Sequence, residues 1–271
     1  SVTGIGEDAF NNCYNLTRVT IGNNVTSIGN RAFFGCRNLT SIAIPESVTS
    51  IGNEAFCSCD GLKSVVIHNG VKTIGQAAFA NCSDLMSVTI SDSVTNIGDN
   101  VFYGCPNLTS PVYNAHCFAY LPTSYQGAYT IPNGIKQIAG YAFWECSSLN
   151  SVTIPESVTS IGNGEFGICS SLTSITSLAE VPPTLGNEYV FYNLPRSITL
   201  YVPCKSLTAY QADAGWSYFT NIQCIAEEDT AVDEIQISTT NCQKIFRDGQ
   251  LLIIRDGVEY NMQGVELLDN D

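Results

Sequence analysis

Cys13, Cys36, Cys59, Cys82 and Cys105 stand 23 residues apart, and Cys146 and Cys169 repeat the interval once more. A fixed period of this size constrains the fold more than any composition does, because each unit is one small supersecondary piece and equal pieces stack. Four other rows keep the register. Phe10, Phe33, Phe56, Phe79, Phe102, Phe143 and Phe166 form one, and Leu16, Leu39, Leu62, Leu85, Leu108, Leu149 and Leu172 another. Ile5, Ile28, Ile51, Ile74, Ile97, Ile138 and Ile161 form a third, and glycines recur at 6, 29, 52, 75, 98 and 162. The decapeptide IPESVTSIGN is written at 44–53 and again at 154–163, at the same point of two units.

Within a unit, "LTSIAI" at 39–44 alternates apolar and polar residues, as a short strand with one buried face should. The glycine row permits a sharp turn. After it, "NRAFFGC" and "NEAFCSC" carry apolar residues at one-turn spacing, which predicts a short helical piece on the opposite side of the coil. One such coil buries too little apolar surface to fix its own backbone, so neighbours must supply the rest through strand hydrogen bonds and ladders of like residues.

The run "VTSIGNRAFFGCRNLTSIAIP" and its copies resemble the BspA-like leucine-rich repeat family over residues 1–177. That resemblance implies an α/β repeat solenoid, a right-handed, curved leucine-rich-repeat stack of 23-residue coils with a parallel sheet along one face. It also implies adhesin-like roles on secreted and surface proteins of bacteria and some protozoa. The chain departs from the motif where Val101 and Glu165 replace the alanine, where Ala139 takes a glycine position, and where Pro111 stands in a strand.

Cys105 to Cys146 is 41 residues, so one coil is short by five. That irregular coil, 111–132, holds Tyr113, His116, Cys117, Tyr120 and Tyr125. Two readings are open: a ligand-gripping protrusion of exposed tyrosines, or a degenerate coil in which Phe118, Leu121, Tyr129 and Ile131 replace the usual core. Residues 178–226 read as a cap: Pro182 and Pro183 stop the ladder, "ITLYV" is a strand, Ser206 caps a helix "LTAYQADA" that Gly215 ends, and Trp216, Tyr218 and Phe219 plug the core. Residues 227–271 read as an acidic linker, 227–234, and a small β module with Asp-Gly turns at 248–249 and 256–257. This tail resembles C-terminal export and attachment tails of Bacteroidetes-type bacteria.

Net charge is −14, of which residues 227–271 carry −8. An acidic body with no basic stripe repels phosphate backbones and anionic lipid, so neither nucleic acid nor membrane insertion is expected. The seven cysteines of the row are expected as free thiols acting as small hydrophobes; for Cys57, Cys117, Cys204, Cys224 and Cys242 the state is open, with a Cys204–Cys224 bridge one alternative. Only His68 and His116 are available, no clustered Cys or His has zinc spacing, and no phosphate-binding glycine loop exists, so no enzyme, metal or cofactor is expected.

What remains is the outward face of the strands: Arg18 and Thr20, Ser41 and Ala43, Ser64 and Val66, Ser87 and Thr89, Ser151 and Thr153, Ser174 and Thr176. This uncharged, shallow surface suits broad contact with a protein, or is only a solvated sheet face. The leading expectation is an extracellular or cell-surface protein that binds a partner protein, for example a host extracellular protein; the alternative is glycan binding through the tyrosines of the irregular coil.

Overall fold

The computed structural model describes residues 2–164, 166–187, 190–191 and 193–225, and the backbone of four strands between 242 and 267. Two compact units are present, Ser1–Ile225 and Ala226–Asp271. The first is a parallel-sheet solenoid of about nine turns.

Each regular coil contributes two strands. The short ones, Gly4–Ile5, Ser27–Ile28, Ser50–Ile51, Thr73–Ile74 and Asn96–Ile97, pair in parallel with isoleucine opposite isoleucine. The longer ones build the broad face. Arg18–Thr20 pairs with Ser41–Ala43, and Ser64–Ile67 with Ser87–Ile90. Beyond the irregular coil, Gly127–Thr130, Leu149–Ile154, Ser174–Ser177, Thr199–Pro203 and Asn221–Ile225 form one parallel sheet.

The expected helical piece is not there. Residues 30–35 are consecutive turns, and the reason lies in where the backbone N–H groups go. Arg31, Phe33 and Gly35 donate to Asn53, Ala55 and Cys57 of the next coil, whereas Ala32, Phe34 and Cys36 donate back to Gly29, Arg31 and Phe33. Alternate amides therefore serve the stack, which an α-helix, spending each N–H internally, cannot do. The geometry requires positive φ at two places per coil: Arg31 and Gly35 (54° and 68°), Glu54 and Ser58 (54° and 57°), Tyr141 and Glu145 (64° and 61°).

Side chains continue the ladders. Phe10, Phe33, Phe56, Phe79 and Phe102 stack with centroids 5.1–5.8 Å apart. Five of the row cysteines lend their thiols to the phenylalanine carbonyl of the coil before: Cys36 to Phe10, Cys59 to Phe33, Cys82 to Phe56 and Cys105 to Phe79 at 3.2 Å, Cys169 to Phe143 at 3.1 Å; after the irregular coil, Cys146 turns instead to Leu121 O and Pro122 O at 3.7 Å. The doubled decapeptide has the same structural role in both copies, since Ser47 Oγ donates to Val25 O and Ser157 Oγ to Ile135 O, both at 2.7 Å.

The seven row cysteines are thiols outside the disulfide found in the cap. Cys13, in the first coil, is exposed, contrary to a wholly buried row; the others are buried. Burial pushes the Cys36 thiol up to about 11 and Cys105 to about 12, and raises Cys59 and Cys82 as well. Only thiolate reacts with alkylating reagents. Brief iodoacetamide treatment of the native protein near neutral pH is therefore expected to modify Cys13 and to spare Cys36, Cys59, Cys82 and Cys105, as peptide mass spectrometry will read; comparable labelling of Cys59 or Cys82 would contradict the buried ladder.

The cap carries three corrections. Pro182 and Pro183 do not stop the ladder: Thr184–Leu185 follows at once and pairs in parallel with Ser160–Ile161. Ser206 stands at the N-cap of helix Leu207–Ala212 but makes no side-chain cap bond, and the helix ends at Asp213, with Gly215 opening the next 3-10 turn. The coil pattern itself runs on, with Phe191 stacking on Phe166 at 5.9 Å and Trp216 packed against Phe191 at 5.1 Å, its ring inclined by 53°. Trp216 is wholly buried and donates Nε1 to Pro183 O, closing the core with Phe219. Cys204, which opens the 3-10 turn after Thr199–Pro203, forms a disulfide with Cys224 in the last strand of the broad sheet.

In the second unit, Cys242–Arg247, Gln250–Arg255, Val258–Tyr260 and Glu266–Leu267 form an antiparallel sheet in chain order. The Asp-Gly pairs and the 227–234 linker lie outside the described residues.

Candidate functional site

Where the sequence predicted one coil five residues short, the structure divides the deficit between two. Phe118 pairs opposite Ile138 in the short-strand sheet, 21 residues after Ile97 and 20 before Ile138. Two local devices close the gaps. Asn114, 6% exposed, accepts from the backbone amides of His116 and Cys117 through Oδ1 and donates Nδ2 to Ser91 O and Val94 O. Gln137 reaches across to Ile97, donating Nε2 to its carbonyl at 2.8 Å and accepting its amide at 3.2 Å, so that a side-chain amide stands in for a missing peptide group. At the glycine corner, coil meets coil directly: Asp99 accepts from Gly140 N–H and Asn163 Nδ2.

The second shortfall falls on the turn side. Ala128, opposite Ser151, comes 10 residues after Phe118, whereas Ser151 comes 13 after Ile138. Three residues of turn are missing, and a notch of about 170 Å³ opens between the flanking coils. Tyr103 and Gly104 line one side, Tyr141, Trp144 and Glu145 the other, with Tyr120 and Thr123 between. The rings meet at steep angles: Tyr103 and Tyr141 at 74°, Tyr141 and Trp144 at 48°. Trp144 Nε1 is shut from solvent and has no hydrogen-bond partner.

The tyrosines picked from the sequence scatter. Tyr120 is 5% exposed, held with its hydroxyl toward Cys105 O, and burial raises its pKa to about 12; it is a core residue, not an exposed platform. Tyr113 is exposed but lies against Phe118, Tyr125 bonds Ala128 O and abuts Tyr129, and His116 is half-buried. Phe118, Leu121, Tyr129 and Ile131 fill the core. Sequence reasoning missed Tyr103, Tyr141 and Trp144, which sit at ordinary repeat positions; the signal was two aromatics three apart, followed one coil later by Gly164 and Gly167.

The broad face presents the other candidates. Arg18, Thr20, Ser41, Ser64, Val66, Ser87 and Thr89 are exposed, Ser151 and Thr153 half-buried. Register aligns Arg18 with Ser41 and Ser64 with Ser87, then Ser151 with Ser174 and Thr199, and Thr153 with Thr176 and Tyr201. The rows therefore run on into the cap. Among the described residues, no three of His, Cys, Asp and Glu are placed to hold a metal ion, and no helix is long and apolar enough to cross a membrane.

Parallel strands, 23-residue coils and ladders of Leu, Phe and Cys define a leucine-rich repeat protein. Six copies of the BspA type leucine rich repeat region match residues 3–118 and 112–225, and the chain belongs to that family. Such repeats generally mediate protein–protein contact rather than catalysis. Among solved structures, the Treponema pallidum leucine rich repeat protein is 28% identical, covering 63% of this chain and 72% of its own, with a TM-score of 0.47. A leucine rich cell surface protein of Faecalibacterium prausnitzii is 28% identical over 84% of this chain and 78% of its own, at 0.41. A leucine-rich repeat protein of Bacteroides ovatus is 24% identical over 83% and 82%, at 0.42. No curated protein matches the sequence.

Proposed function

We propose that this chain is a non-enzymatic binding protein, secreted or displayed at the cell surface, whose broad sheet face holds a partner protein, a host extracellular or surface protein being the class in view. The observation that carries the reading is the pair of outward rows, small and mostly hydroxyl-bearing, held in register on a stack of parallel strands. Such a face loses little side-chain entropy on docking and exposes no charge that must be desolvated, Arg18 apart. The Cys204–Cys224 disulfide supports an oxidising compartment. The tyrosines of the irregular coil support a glycan platform less well, since Tyr120 is buried and Tyr113 and Tyr125 lie against different neighbours.

The test is a panel of purified extracellular host proteins offered to the intact chain and to the double variant Ser64→Arg, Ser87→Arg. Both serines are exposed, but they face each other across paired strands, so two arginines there should cost about 1 kcal/mol of stability and leave the fold intact. Placing two bulky charges at the centre of the contact is expected to weaken capture at least about tenfold, a loss of roughly 1.4 kcal/mol. A panel that yields no partner, or a variant that binds as the parent does, counts against the sheet face.

A further inference from the structure

We infer that the notch between the coils of Tyr103 and Tyr141 is a receptor for a guanidinium group, the head of an arginine on a partner protein. The inference takes its protein partner from the reading above, but uses a different surface: no residue lining the notch belongs to the sheet rows.

The chain itself shows what such a corner accepts. In the second coil, Arg31 and Phe34 stand five and two residues before Cys36, the same repeat positions at which Tyr141 and Trp144 stand five and two residues before Cys146. There the guanidinium carbon of Arg31 stands 4.7 Å from the Phe34 centroid, and its Nε lies 3.7 Å from Asp8 and 3.6 Å from Glu54. Aromatic face, cation and carboxylate make one group, and the cation comes from the same chain. Arg37 over Tyr14 and Arg196 over Tyr218 repeat the pairing at 5.7 and 5.2 Å. In the notch the aromatic and acidic members are present as Tyr103, Tyr141, Trp144 and Glu145, but tyrosine has replaced the arginine. Among the described residues no Lys or Arg is placed over these rings.

The rings are seated by the sequence of the next coil. A Cβ on Gly164 would fall 2.8 Å from Tyr141 Cζ, and one on Gly167 would collide with the six-membered ring of Trp144. Each ring thus lies on a glycine. Tyr141 and Glu145 also hold positive φ, of 64° and 61°, where bulky residues are disfavoured. At the same two places the second coil has Arg31 and Gly35, and the coil of Tyr103 has Asn100 and Gly104.

The geometry selects among ligands. Rings inclined at 74° and 48° form a corner rather than a flat platform, so a pyranose finds no single face to stack on, whereas a cation is attracted to each face it touches. The exposed carboxylate of Glu145 at the rim, on a chain of net charge −14, opposes anions and favours a cation. The 170 Å³ of space admits one side-chain head and no folded segment.

The test uses Nα-acetyl-arginine methylamide as probe, its uncharged citrulline counterpart as control, and the indole N–H resonances of the intact protein as readout. There are two tryptophans, and Trp216 is fully buried and serves as internal reference. The arginine probe is expected to shift the Trp144 resonance saturably, with a Kd on the order of 1 mM, and the citrulline probe to bind at least about tenfold more weakly, because only the cation gains from the ring faces. Glu145→Gln and Tyr103→Ala, both at exposed positions, should each weaken the arginine probe about fivefold or more while leaving the Trp216 resonance in place. Equal binding of the two probes, a shift with methyl glycosides but not with arginine, or no saturable shift at all would overturn the assignment. Arginine binding that survives Ser64→Arg, Ser87→Arg supports the notch even if the sheet face finds no partner; loss of the sheet-face partner alone speaks only to the earlier reading.

Discussion

Phe79→Ala is expected to cost about 3–5 kcal/mol, which is a large share of the roughly 5–15 kcal/mol that holds a folded domain together. Phe79 is fully buried, with the rings of Phe56 and Phe102 stacked on its two sides at 5.2 and 5.8 Å. Removing it empties a ring-sized space that the flanking coils cannot close, because their backbones are tied to each other on both sheets and through the turn amides. Phe10 in the same row is 38% exposed and has one stacked neighbour, so Phe10→Ala should cost well under half as much. Urea unfolding of the two variants, compared at equal slope, gives the difference. Equal losses at the two positions would mean that stability does not reside in the stacked interior.

Raising the pH is expected to destabilise the solenoid steeply. In the unfolded chain each thiol ionises near 9.0; in the fold, burial lifts Cys36 to about 11 and Cys105 to about 12, with Cys59 and Cys82 raised too. Above pH 9 the folded state therefore keeps protons that the unfolded state has released. The sign follows: this contribution is complete below pH 9 and is lost as pH rises through the folded values, by about 1.4 kcal/mol per pH unit for each thiol still protonated. Urea midpoints measured from pH 7 upward should be level to about 9 and then drop, and Cys82→Ala should show a shallower drop from a lower start. A flat profile through pH 10.5, about one and a half units above the unfolded thiol value, would show that the thiols are not held in a dry ladder.

The period carried most of the fold. Equal spacing of Cys, Phe, Leu and Ile was enough to place strands, sheet register and the outward rows of Ser and Thr, because in a stack each coil's position is defined by the coil before it. The turn side was not legible in the same way. Apolar residues at one-turn spacing in "NRAFFGC" fit a helix and fit a series of turns equally, and Arg31, Glu54 and Ala77 give no sign of the positive φ they adopt. The cap was misread where the motif letters lapse but the geometry persists: Phe191 and Trp216 extend the aromatic stack at intervals of 25, not 23, residues. The irregular coil was read by its composition, which pointed at Tyr113, Tyr120 and Tyr125. The notch depends instead on which residues two regular coils bring to the place where turn residues are missing, and on Gly164 and Gly167 one coil further on. Such a juxtaposition becomes visible only when the register through the 41-residue interval is known, and that register rests on side chains, Asn114 and Gln137, rather than on the motif.

The function proposed here stands on the broad face, and one measurement addresses it most directly: the affinity, for a host extracellular protein captured by the parent chain, of the variant Ser64→Arg, Ser87→Arg. The account predicts a loss of about tenfold or more, with a melting temperature lowered by no more than about 4 °C. Parent-like affinity in that variant would contradict it and move the contact elsewhere on the solenoid.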